Sequence, residues 1–122
     1  MGYELRVKRE SPLAYAELAN AVERAGFELR GSHEAGEVFA RHGEEAHAVA
    51  AWRDGLAGEP ASDWQVAQLI RLCEMVGGSL VGEDGEVYAA RDGIVEQVNN
   101  GTSYEFGKMD EILAAGPAQW SQ

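Results

Sequence analysis

"GEDGEVYAARDG", residues 82–93, decides how this chain is organised, because "GEVFARHG" at 36–43 has already said nearly the same thing. Each copy follows an apolar helical pattern that ends in glycine. Asp84-Gly85, set between two short apolar runs, is the signal of a type I′ hairpin, and Gly85 supplies the positive φ such a turn requires. Alternation then predicts Val87 on the core face, with Glu86 and Tyr88 pointing the other way, as Glu37 and Phe39 should in the earlier copy. The motif is a turn first. What it presents outward is a candidate contact surface: Glu83, Asp84 and Glu86, with Tyr88 beside them.

Working outward, the two halves of the chain correspond. Ser11, Ala16, Leu18, Glu23, Gly26, Leu29 and Gly31 match Ser62, Ala67, Leu69, Glu74, Gly77, Leu80 and Gly82 at a constant offset of 51. After a short length change, "GEVFA" at 36–40 matches "GEVYA" at 85–89. This pattern predicts one α+β domain over 1–122, built from a duplicated βαββ unit with approximate repeats 2–43 and 46–93 and a C-terminal extension 94–122. Residues 3–8, "YELRVK", alternate as a half-buried strand. Ser11-Pro12 is expected to cap and open the first helix, with Tyr15, Leu18, Ala19, Val22 and Ala25 inward and Gly26 as the stop. Strands are expected at 27–30, 37–41 and 47–53. A second, more apolar helix should run from Ser62-Asp63 to Val76. The extension carries a turn at Asn100-Gly101, a short helix at 108–114, and Trp120 as a terminal anchor. The predicted architecture is an antiparallel sheet with two helices on one face.

The 21 acidic residues against 10 basic ones give a formal charge of −11. Such a surface repels nucleic acid and anionic membrane and attracts basic partners. A single cysteine, Cys73, excludes a disulfide framework, and the start lacks the basic and apolar regions of a signal peptide, so a cytoplasmic location is expected. The expected oligomeric state is a monomer or a homodimer.

Catalytic chemistry finds little foothold. His33, His42 and His47 lie close in sequence, but a strand separates the first two by roughly 20 Å, and "HGEEAH" is not the helical HExxH arrangement. Cys73 falls on an apolar stripe. The glycines at 77, 78 and 82 follow a helix, whereas a phosphate cradle precedes one. No metal, cofactor or catalytic residue is expected, and the chain reads as a non-enzyme. A paired-module dioxygenase or lyase is disfavoured by the histidine spacing. Arg53 beside Trp52 has the composition of an interface anchor. Glu34, Glu44 and Glu45 complete the partner-binding set of Glu83, Asp84, Glu86, Tyr88, Trp52 and Arg53.

"MGYELRV" and "LIRLCEMVGGSLVGEDGEVY" at 69–88 resemble a group of small acidic bacterial proteins of largely unassigned function. In that group a Gly-Tyr-acidic-Leu strand opens the chain, and a Gly-acidic-Asp-Gly-Glu-x-Tyr hairpin follows the second helix. In size and acidity the chain is also similar to immunity proteins. That likeness implies binding and neutralising a basic, secreted antibacterial toxin, with no catalytic residues to carry over. The rival expectation is a small-ligand or regulatory module with a pocket between the two halves.

Overall fold

Leu5 and Val7 alternate with charged neighbours, and strand β1 (Leu5–Lys8) duly buries Leu5 while exposing Arg6 and Lys8. The computed structural model describes residues 3–118 and residue 120. Helix α1 (Tyr15–Ala25) starts later than the sequence suggests: Ala14 is its N-cap, and the Glu17 carboxylate accepts the Ala14 amide at 3.2 Å. Ser11 caps nothing. Its carbonyl instead takes a hydrogen bond from Arg9, whose guanidinium also holds Glu17. Glycine at 26 (φ 85°) ends α1 as predicted.

Strands β2 (Glu28–Gly31), β3 (Gly36–His42), β4 (Glu45–Trp52) and β5 (Leu56–Gly58) follow. Helix α2 (Asp63–Met75) is capped by Ser62, whose hydroxyl accepts the Gln65 amide at 3.1 Å. Then come β6 (Ser79–Val81), β7 (Val87–Arg91), β8 (Ile94–Asn99), β9 (Thr102–Lys108) and the short helix α3 (Met109–Ala115). The fold is α+β with three helices, α3 forming where the short helix of the extension was expected at 108–114. The C-terminal extension supplies a full hairpin, β8–β9, around Asn100-Gly101.

All pairings are antiparallel, in the order β2-β3-β4-β5-β1-β6-β7-β8-β9. The first strand in sequence therefore lies at the centre, between β5 and β6. By the predicted bounds the first half ends with β3 and the second begins with β4, yet β1 of the first half lies between β5 and β6 of the second, so the strand order does not set the two halves side by side. The matching motifs also differ in register. Gly36 sits in a strand opposite Trp52, whereas Gly85 (φ 83°) is in a turn. Val38 is buried, while its counterpart Val87 is 40% exposed.

The sheet curls around α2. His42 on β3 lies edge-on to Trp64 of α2 at 6.3 Å, and Phe106 on β9 lines the same small cavity as Trp64. In a flat sheet those strands would stand seven spacings apart, roughly 34 Å. This wrapping explains why α2 buries eight of its residues, including Gln68. Leu5, Val38, Val49, Leu56, Leu69, Ile70, Leu72, Leu80 and Val95 form its sheath and core. Trp120 closes the end of the cluster, its indole N–H donating to Asp63 at 2.7 Å and its amide to the Ala61 carbonyl.

Candidate protein-binding surface

The acidic hairpin that opened the sequence reading is a clasp. Gly85 takes the positive φ predicted for it (83°), but Asp84 does not, and the Gly85 amide closes on the Gly82 carbonyl at 3.2 Å, so the connection is one residue longer than the expected type I′ turn and the faces of the following strand are reversed. Glu86 is 3% exposed and Tyr88 8%, while Val87 faces out. Tyr88 pairs with Leu80 on the core side. One carboxylate oxygen of Glu86 accepts the Tyr3 and Tyr88 hydroxyls, and the other accepts the Asp84 amide at 3.1 Å. The Tyr3 hydroxyl in turn accepts the Asp84 amide, and Glu83 accepts the Glu4 amide at 2.8 Å. Gly82 makes room for this: a Cβ there would overlap the Glu86 carboxylate.

Burial alone would raise the Glu86 pKa, but the hydrogen bonds from Tyr3, from backbone amides and from Tyr88 outweigh it and hold the group below the usual carboxylate range. The Tyr88 phenol moves up, through burial first and then its bond to Glu86. Glu86 and Tyr88 are therefore internal to the protein and leave the contact set.

Trp52 leaves it too. It is 6% exposed, its indole N–H donates to the His33 carbonyl at 2.9 Å, and Tyr15 packs edge-on against it at 5.7 Å. The remaining predicted residues are exposed but divided between the two ends of the sheet. Glu34, in the β2–β3 turn, and Arg53, after β4, belong to one end. Glu44 and Glu45, at the β3–β4 turn, belong to the other, with Glu83 and Asp84 in the β6–β7 turn. Four strand spacings, roughly 19 Å, separate those two turns.

Between them the strand order inserts two residues that the sequence reading did not single out: Glu59, where β5 ends, and Glu4, where β1 begins. Glu44, Glu45, Glu59, Glu4, Glu83 and Asp84 thus come in this order across one end of the sheet, with Glu44 and Glu45 set roughly 13 Å beyond Glu59 because β4 runs on past the end of β5. Only strand order reveals the row. "GEP" at 58–60 was the available sign that a short strand stops there.

Beside this row lies an open depression of about 350 Å³, floored by Ala48, Ala51 and Ala57 and bordered by Glu4, Glu37, Glu59 and Arg53. Arg6 at its edge is held by Glu4 at 2.8 Å.

Among the described residues, no group of three or more His, Cys, Asp or Glu side chains is placed to hold a metal ion. His42 lies on the Ala114 carbonyl and His47 packs on Trp64, so the imidazoles serve as packing groups. Burial, with the Glu74 charge behind it, pushes the Cys73 thiol up to about 11, leaving it protonated at neutral pH. No described helix is long and apolar enough to cross a membrane. Comparison with known protein families, curated proteins and solved structures finds no match.

Proposed function

We propose that this chain is a cytoplasmic immunity protein that binds and neutralises a basic, secreted antibacterial toxin. The observation that carries this reading is the acidic row along one end of the sheet, on a chain of formal charge −11. Such a row matches a cationic partner and steers its approach. In this reading the helices occupy one sheet face and leave the other, with its depression, for the partner. The offset matches between the halves support descent from a duplicated βαββ unit whose second copy has since changed register.

The test is co-expression with the product of a neighbouring secreted-toxin gene. The chain should rescue growth and co-purify with the toxin. A second reading, a small-ligand module, draws on the depression between β4 and β1. Failure to protect cells, together with a melting temperature raised by a small metabolite, would replace the first reading with the second.

A further inference from the structure

The depression has a backbone cause. β4 has eight residues and β5 only three, and the two strands pair only at Ala51–Ala57 and Trp52–Leu56. After Gly58 the chain leaves the sheet to start α2. Gly58 lies against the Val49 carbonyl, so residues 45–48 of β4 have β3 on one side and no strand on the other. On the far side of the opening, β1 begins only at Leu5, opposite Gly58.

Leu5 stands level with Ala50, two strand spacings or roughly 9.6 Å from β4, so alongside Ala46–Ala48 the place of the next strand forms a lane that lies open past the ends of both β5 and β1. Strand edges with free amides and carbonyls are where extended segments add to sheets. Here the Ala48 carbonyl is already met by the Gln65 side chain, at 3.2 Å, as a stand-in partner. The β4 residues along the lane include the small Ala46 and Ala48, which let a backbone approach closely, and the Ala51–Ala57 pair closes its far end. Glu37 and Glu59 border it, with Arg53 and the Arg6–Glu4 pair beside them, and Glu44 and Glu45 stand at the turn where β4 begins.

We propose that a basic, extended segment of the protein partner enters this lane and adds antiparallel to β4 along Ala46–Ala48, its lysines or arginines meeting Glu37 and Glu59. The inference rests on the toxin-binding reading only for the source of that segment.

The probe is the acetylated and amidated peptide Lys-Val-Lys-Val-Lys at millimolar concentration, read by amide hydrogen exchange in the intact chain. Exchange at Ala46 and Ala48 should slow by about tenfold, with Thr102 and Tyr104 on the sheet-edge strand β9 unchanged. A Glu-Val-Glu-Val-Glu peptide should protect nothing. The doubly reversed variant Glu37→Lys/Glu59→Lys, melting as the parent does, should weaken peptide binding by about tenfold.

Protection at β9 instead of β4, no protection at either site, or unchanged affinity in the reversed variant would overturn the lane. So would protection at Ala46 and Ala48 that rises with protein concentration alone, since a second copy would then be the occupant. Peptide protection without rescue of growth would sink the toxin reading and keep the lane. Rescue by a complex that leaves both alanine amides exchanging freely would do the reverse.

Discussion

Glu86 shows how a surface-looking residue becomes part of the interior. Sequence alternation assigned the faces of "EVYAAR" from Val87, the most apolar residue near the turn, and a one-residue error of that kind inverts every side chain. The missing information was long-range. Tyr3 lies 83 residues away from Glu86 in the chain, and its hydroxyl is one of the groups that make the buried carboxylate tolerable. Glu86→Gln should therefore destabilise the fold, by about 2–3 kcal/mol for hydrogen bonds to a buried charge, whereas Asp84→Asn at the exposed turn should be near neutral. Urea midpoints at pH 7 would check this.

The pH dependence has a definite sign. The folded pKa of Glu86 lies below the unfolded one, so the unfolded chain binds more protons. Its contribution is present above the unfolded value, about 4.3, and is lost as pH falls through the lower folded value. The parent should lose stability across that acid window more steeply than the Gln variant.

At the level of elements, what could be read locally was read well. β1, α2 with its Ser62 cap and the Asn100-Gly101 turn all depend on signals within a few residues, whereas at Asp84-Gly85 only the glycine's positive φ was read correctly. Ser11-Pro12 resembled a helix start just as closely. Yet Arg9 binds the Ser11 carbonyl and Glu17 reaches back to Ala14, so the helix begins one turn later. The two serines give a clean contrast. Ser62→Ala should lower stability by about 1 kcal/mol, as loss of a helix cap does, and Ser11→Ala should leave the denaturation midpoint in place.

β5 escaped notice because three residues show no periodicity and one of its two partners, β1, is remote in sequence. Gly58 in that strand is tightly enclosed: an added Cβ would lie 2.6 Å from the Val49 carbonyl and 3.0 Å from Leu69. Gly58→Ala should cost about 1–3 kcal/mol through overpacking, measurable in the same denaturation series.

On the scale of the whole molecule, net charge was legible from composition, but its arrangement was not. Strand order brings Glu59 and Glu4 between the two acidic turns, and no spacing along the chain announces this. If the row steers a basic partner, association should slow as salt rises, since a Debye length of about 8 Å at physiological ionic strength screens it. Reversing Glu44, Glu45 and Glu59 to lysine should cut the association rate in stopped-flow mixing while leaving the melting temperature unchanged. Trp52→Ala should act differently. With its indole inside the core, it should lower stability by about 3–5 kcal/mol, and any loss of binding should follow the loss of folded protein.

The central position of β1 also sets a timetable. Arg6 pairs with Ala57 on one side and Val81 on the other. As the chain is made, β1 precedes both of its neighbours, since β5 is complete only at residue 58 and β6 only at residue 81 of 122. Contacts so distant in sequence close slowly. Until then an alternating strand waits with both edges bare, the condition in which nascent chains are most exposed to wrong pairing. The charges that flank it, Glu4, Arg6 and Lys8, are suited to keeping it apart from its copies on neighbouring ribosomes.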